Sequence, residues 1–211
     1  MNFNKESLLL YAITDRSQTD SIPLTEQVEM ALKGGITLLQ LREKSLDEEA
    51  FVKEAVEIRK LCHKYNTPLI INDNLNVALK SGADGIHVGI DDMPVESIRK
   101  KTGSQFIIGA TAKTVERAVT AEQSGADYLG VGAVFPSPTK KDAIRITKEQ
   151  FNSIADSVAI PIVAIGGITY ENISQLKEYK TSGIAAISAI FSKDILDDTI
   201  RLRKKCEQLF T

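Results

Sequence analysis

The sequence predicts a (β/α)8 TIM barrel, a single domain over residues 1–211. Three observations carry this reading. Eight short apolar runs alternate with longer segments of helical period, the order that builds a parallel sheet covered by helices. The helix-like segments stop at glycine before the next run, at Lys33-Gly34-Gly35, Lys80-Ser81-Gly82, Gln123-Ser124-Gly125 and Thr181-Ser182-Gly183, where a left-handed residue ends a helix. Two joints are near copies, Ser81-Gly-Ala-Asp-Gly-Ile-His-Val-Gly89 and Ser124-Gly-Ala-Asp-Tyr-Leu-Gly-Val-Gly132, which marks a repeated βα unit.

The expected strands are 8–13, 36–41, 69–71, 85–88, 106–108, 128–131, 162–165 and 184–187. Each is short and apolar at nearly every position, as suits a parallel strand buried on both faces. Between them, 24–33 and 47–65 show helical spacing most clearly. In the second, Phe51, Ala55, Ile58, Arg59 and Cys62 recur at i, i+3 or i+4 while Glu and Lys fill the opposite face. Ser45 and Asp47 precede that helix, Asp73 and Asn74 the third, and Thr114 the fifth. Such side chains accept from the free N–H groups of a helix start. Eight helices are expected in all. A doubly wound sheet is the competing architecture, but it calls for a glycine-rich loop after the first strand. Thr14-Asp15-Arg16-Ser17 stands there instead.

Composition narrows the function classes. With 26 Lys+Arg against 28 Asp+Glu the net charge is −2, so no electrostatic footprint for nucleic acid or an anionic membrane is expected. No apolar run reaches the ~18–20 residues of a membrane-spanning helix, and the opening MNFNKESLLLYAITDRS reads as a leader into a strand, not a signal peptide. Cys62 and Cys206 lie far apart outside any ligand cluster, which fits reduced thiols in the cytoplasm.

In a barrel of this kind, chemistry sits on the loops leaving the C-terminal ends of the strands. Those positions hold Gln40-Leu41-Arg42-Glu43-Lys44, Asn72-Asp73-Asn74, Gly89-Ile90-Asp91-Asp92, Ala110-Thr111, Ser137-Pro138-Thr139-Lys140-Lys141, Gly166-Gly167 and Ser188-Ala189. Arg42, Lys44 and Lys140 therefore share a rim with Asp73 and Asp92. Arg and Lys bind phosphate oxygens, and Mg²⁺ is held by one or two carboxylates plus substrate phosphates. The set describes a magnesium-diphosphate site. Taken singly, Asp73 reads as a helix cap and Glu43 as the partner of Arg42; it is convergence on one rim that favours the site. Gly166-Gly167 before a helix, with Ser188 one unit on, matches the phosphate site of the seventh and eighth barrel loops. Two anion sites predict two phosphorylated substrates. His63 reads as a surface residue of a helix, and His87, inside the fourth strand, as core or rim. No nucleophile or acid/base pair is evident, so electrostatic stabilisation of a departing diphosphate fits the inventory.

Gln40-x-Arg42-Glu43-Lys44, Asn72-Asp73, Asp92, Pro136-Ser-Pro-Thr-Lys-Lys-Asp142, Gly166-Gly167-Ile168 and Ile187-Ser188-Ala189-Ile190 together resemble the thiamine phosphate synthase family, in order through essentially the whole chain. The resemblance implies a transferase joining 4-amino-2-methyl-5-hydroxymethylpyrimidine diphosphate to 4-methyl-5-(2-phosphoethyl)thiazole or its carboxylate, with release of diphosphate. It implies that Gln40, Leu41, Arg42, Glu43, Lys44, Asn72, Thr111 and Lys140 hold the pyrimidine diphosphate, with Arg42, Lys44 and Lys140 catalytic. By the same resemblance Ser137, Pro138, Thr139, Gly167, Ile187 and Ser188 hold the thiazole phosphate, and Asp73 and Asp92 bind one Mg²⁺ per subunit. Diphosphate would leave first, giving a pyrimidine carbocation that the thiazole nitrogen attacks. The expected partners are these two small substrates, with no nucleic acid and no membrane; a homo-oligomer is compatible with the sequence. Two departures stand out: Ser137-Pro138-Thr139 where Thr-x-Thr is common, and Lys113 where many members carry His. The second argues against the tautomerase branch of the superfamily, whose proposed acid/base is that His.

Overall fold

The computed structural model describes residues 3–16, 22–136 and 145–211. Eight parallel strands pair in chain order and close, β8 returning to β1. They are β1 (Leu10–Ile13), β2 (Leu38–Leu41), β3 (Leu69–Asn72), β4 (Gly85–Val88), β5 (Ile107–Ala112), β6 (Tyr128–Gly132), β7 (Ile162–Ile165) and β8 (Ile184–Ala186). Among the described residues the helices are α1 (Leu24–Gly34), α2 (Glu48–Lys64), α3 (Leu75–Ser81), α4 (Val95–Thr102), α5 (Val115–Gln123), α6 (Lys148–Asp156) and α7 (Ile195–Phe210). None is long and apolar enough to cross a membrane. The predicted barrel is present.

Two elements differ from expectation. Leu8, expected to open β1, instead ends a short 3-10 helix, Lys5–Leu8, because Asn4 Oδ1 accepts from Ser7 N and turns the chain. Leu8 is buried all the same, at the floor of the barrel interior. The crossover from β7 to β8 carries a 3-10 helix, Ile173–Glu178, where an eighth α-helix was expected. Asn172, which stands at its start, spends its side chain on Thr169 N and Gly167 O in the preceding loop and caps nothing.

Alternation along the strands sorts the core into two layers. Leu39, Leu41, Leu69, Ile71, Ile86, Ile108, Leu129 and Ile162 face the helices. Tyr11, Ile13, Leu38, Ile70, Ile107, Tyr128, Val163 and Ala185 fill the interior. Burial on both faces is what made the runs read as continuous apolar stretches.

The repeated joints close the N-terminal face. Asp84 Oδ2 accepts from Leu69 N at 2.8 Å and lies 2.9 Å from His63 Nε2. In the copy, Asp127 Oδ2 accepts from Ile108 N at 2.7 Å and Arg99 Nη2 at 2.6 Å. Each aspartate thus satisfies a free strand amide and pairs with a cation-capable side chain on a preceding helix. His63 is therefore a partnered, half-buried residue, not the plain surface histidine expected. Of the four glycine stops, Gly35, Gly82 and Gly125 take positive φ after helices. Gly183 does not; a Cβ there would run into the Leu8 carbonyl and Leu9, so its role is close packing.

Candidate active site

The C-terminal mouth of the barrel opens into a cavity of about 300 Å³, whose lining includes Tyr11, Gln40, Arg42, Lys44, Asn72, Asp73, His87, Asp92, Thr111, Ile165 and Ile187. Inward positions at the strand ends supply most of them. Gln40, Asn72 and Thr111 follow the interior residues Leu38, Ile70 and Ile107 by two and four places along β2, β3 and β5, so their side chains point into the barrel.

Just past β2, Arg42 is fixed by its backbone. Its N–H donates to Thr14 Oγ1 at 2.9 Å, and the Thr14 hydroxyl donates to Arg42 O at 3.3 Å. Its guanidinium stands 3.8 Å from Asp15 Oδ2. Lys44 Nζ reaches across to Asp73 Oδ2 at 2.7 Å. The other oxygen of Asp73 accepts from Asn72 Nδ2 at 2.8 Å. Asp73 itself sits at φ 60, a left-handed conformation that Asp and Asn tolerate better than other side chains. Its amide donates to His87 O at 2.9 Å, so the strand pairing continues to the residue that turns the carboxylate over the mouth.

Asp92 arrives from the loop after β4 and accepts from Gly89 N at 2.7 Å. It meets the Asp73 carboxylate. Burial pushes the Asp73 pKa up, Lys44 pulls it down, and Asp92 raises it through both a hydrogen bond and like charge; the net direction is upward. Two carboxylates facing one another beside an ammonium create demand for added positive charge.

Not every predicted residue reaches this mouth. Leu41 points outward and is fully buried against the helices. The Glu43 carboxylate turns back into its own loop. It accepts from Arg16 Nε, Lys44 N and Ser45 N, each at 2.7 Å. Glu43 therefore shapes the loop that presents Lys44, and its cationic partner is Arg16 rather than Arg42. Gly166 and Ile187 line the cavity, whereas Gly167 and Ser188 lie beside it. Gly167 has φ 64, and a Cβ there would collide with the Phe135 and Pro136 carbonyls, so the glycine pair lets the loop after β6 lie against the loop after β7. Asp91 is exposed and does not line the cavity. Ser137, Pro138, Thr139 and Lys140 fall outside the described residues.

Sequence reasoning missed the floor. Tyr11, Tyr128 and His87 all point inward, and their polar atoms join Gln40 to Thr111. Gln40 Nε2 donates to Tyr11 OH at 2.6 Å, the two phenol oxygens are 2.8 Å apart, His87 Nδ1 is 3.1 Å from Tyr128 OH, and His87 Nε2 is 3.1 Å from Thr111 Oγ1. A proton-transfer-capable group does face the cavity, contrary to the expectation of none. Period-two counting back from the strand ends would have found all three. Gly109 and Gly130 were a further signal. A Cβ on Gly109 would overlap the Tyr128 ring, and one on Gly130 would stand 3.1 Å from His87 Cε1.

Comparison with known proteins points to one family. The family model for thiamine monophosphate synthase matches residues 10–190. Thiamine-phosphate synthase of Clostridium tetani is 45% identical over 200 residues, covering 95% of this chain and 93% of the relative. Thiamine-phosphate synthase 2 of Streptococcus pneumoniae is 42% identical over 209 residues, covering 99% and 100%. Among solved structures, thiamine phosphate pyrophosphorylase from Pyrococcus furiosus superposes with a TM-score of 0.90 at 38% identity, covering 98% of this chain and 99% of that one. A closed barrel, a carboxylate pair beside Lys44 at its mouth and this breadth of similarity lead to one assignment: the chain belongs to the thiamine monophosphate synthase family, and it is a transferase of that kind.

Proposed function

We propose that the protein transfers the 4-amino-2-methyl-5-pyrimidinylmethyl group from its diphosphate to the ring nitrogen of 4-methyl-5-(2-phosphoethyl)thiazole or its carboxylate, with Mg²⁺, in the cytoplasm. The observation that carries this reading is the meeting of Asp73 and Asp92 beside Lys44 at the cavity mouth. Among the described residues no group of three or more His, Cys, Asp or Glu could hold a metal. A two-carboxylate set suits Mg²⁺ completed by phosphate oxygens and water, and suits a self-sufficient protein cage poorly. Asp73 and Asp92 would be its protein ligands, and the ion would neutralise charge gathering on the leaving diphosphate.

The chain's own residues account for the remainder. Arg42 and Lys44 offer a forked and a point donor to diphosphate oxygens; Lys140 is assigned the same task from its place in the sequence motif. Gln40 gives one N–H to Tyr11, and its amide oxygen and second N–H can meet a heterocycle's ring atoms. Ile13, Val163, Ile165 and Ile187 make the wall apolar, which keeps water from a carbocation formed when the methylene–oxygen bond breaks and diphosphate takes the electron pair. The thiazole nitrogen lone pair then forms the new C–N bond. No side-chain nucleophile is required.

The test is direct. Purified protein with both substrates and Mg²⁺ forms thiamine phosphate and diphosphate in equal amounts, and EDTA abolishes both. Absence of product, or product undiminished by EDTA, overturns the reading. Isomerisation of the thiazole substrate supplied alone would favour instead the tautomerase reading, for which His87 in the cavity is the supporting observation.

A further inference from the structure

The polar chain across the cavity floor has a direction, set by the Gln40 amide nitrogen that faces Tyr11 and carried onward by donor chemistry. At one end stands the Gln40 amide nitrogen, which can only donate. Its hydrogen goes to Tyr11 OH. The Tyr11 phenol is fully buried, and burial drives its pKa well above the ordinary phenol value, so it keeps its proton and must place it. The acceptor within reach is Tyr128 OH, 2.8 Å away. Tyr128 is likewise buried and protonated. Its oxygen already receives from Tyr11, and its own hydrogen points to His87 Nδ1 at 3.1 Å. An imidazole nitrogen that accepts cannot carry a hydrogen, so the neutral ring bears it on Nε2. Nε2 faces Thr111 Oγ1 at 3.1 Å. The Thr111 oxygen therefore accepts, and its hydrogen is left for the cavity it lines.

We infer that the chain Gln40→Tyr11→Tyr128→His87→Thr111 runs one way, holds His87 as the Nε2–H tautomer, and commits the Thr111 hydroxyl to donate into the cavity. Tyr11, Tyr128 and His87 are then positioning residues. None needs to exchange a proton with substrate; together they select what Thr111 can meet. An acceptor, such as a phosphate oxygen or an unprotonated ring nitrogen, satisfies that hydroxyl, whereas an amino hydrogen facing it leaves two donors opposed. The floor thereby discriminates between orientations of a substrate that carries both kinds of group. Only this last step rests on the transferase reading; the tautomer does not.

Two measurements on the folded protein test the chain without substrate. The sequence has two histidines, so ring ¹⁵N spectra show two imidazoles, and His63→Gln assigns them. His87 is expected as a single neutral tautomer, with Nδ1 unprotonated and Nε2 protonated. A protonated Nδ1 or an imidazolium at neutral pH overturns the inference. Tyr11→Phe keeps the ring but deletes a hydroxyl that does not touch His87. Tyr128 is then free to turn either way, and the two tautomers should coexist within about tenfold, the range one ordinary hydrogen bond controls. A His87 spectrum unchanged in that variant overturns the inference, because the tautomer would then be set locally. Failure to form thiamine phosphate would sink the transferase reading while leaving these spectra readable.

Discussion

The ammonium of Lys44 lies 2.7 Å from Asp73 Oδ2, on the flank of a carboxylate that also meets Asp92. One cation therefore stands against two acids, and the surplus negative charge faces the cavity. Asp73→Asn isolates that charge. Asn is nearly the same shape and accepts the left-handed backbone at φ 60, so folding is preserved. Turnover with Mg²⁺ should fall by about 10²-fold or more, the usual size of losing one electrostatic contact to a transition state. The melting temperature of the metal-free variant should hold or rise, because the like-charge contact is gone. A variant that keeps its rate, or that melts well below the parent, would show that Asp73 serves as structural support.

Gly109 and Tyr128 are partners across the β5–β6 pairing. A Cβ on Gly109 would overlap the phenol ring, and that ring is tethered through its hydroxyl to Tyr11 and His87. Gly109→Ala should cost ~1–3 kcal/mol or more, as overpacking in a tight core does. Gly130→Ala should cost less, since its Cβ meets only the His87 ring, with Cε1 at 3.1 Å and Nε2 at 3.5 Å. Urea unfolding of the two variants checks the order, and the reverse order would mean that the interior yields at Tyr128.

Asp127 separates stability from activity. It accepts from Arg99 and from Ile108 N at the N-terminal end of β5, the end of the barrel away from the cavity. Asp127→Ala orphans the Ile108 amide and removes the anionic partner of a guanidinium that still holds the Gly103, Phe106 and Gly125 carbonyls, and should cost ~1–3 kcal/mol. Steady-state constants measured below the melting transition should stay within about twofold, since this face of a barrel carries stability. A large change in kcat with an unchanged melting temperature would contradict that division.

The elements most legible in the sequence are those that one local rule determines. Strands such as Leu69–Asn72 are buried on both faces and read as unbroken apolar runs. Asp47, Asn74 and Thr114 cap helices as their types require. Asp73, Asp92, Arg42 and Lys44 were legible because barrel topology sends every strand end to one mouth. What stayed hidden depends on contacts between distant segments. Glu43 adjoins Arg42 in sequence, yet its acid turns to Arg16 on another loop. His63 finds Asp84 across 21 positions. The floor residues were hidden for a different reason: inside an apolar strand a tyrosine or histidine reads as core, and it takes the alternation from the strand ends, together with the room left at Gly109 and Gly130, to place the rings in the interior.

Cys62 and Cys206 give the pH-dependent prediction. Both thiols are buried; burial drives the pKa of Cys62 far up and that of Cys206 from 9.0 up to about 12. In the native protein they should stay protonated and unreactive, because the thiolate is the nucleophile. A thiol-specific chromogenic reagent at pH 8 should therefore label neither in the folded chain and both once denaturant unfolds it. The sign of the stability effect follows. Raised folded-state values mean that the native state holds protons the unfolded state releases, so stability from these thiols is full below the unfolded value, ~8.5. It declines as pH rises from there toward about 12. Between pH 8 and 10 the melting temperature of the parent should fall more steeply than that of a Cys62→Ala, Cys206→Ala double variant. Equal slopes, or rapid labelling of the folded chain, would mean that these helices open locally far more often than their burial indicates.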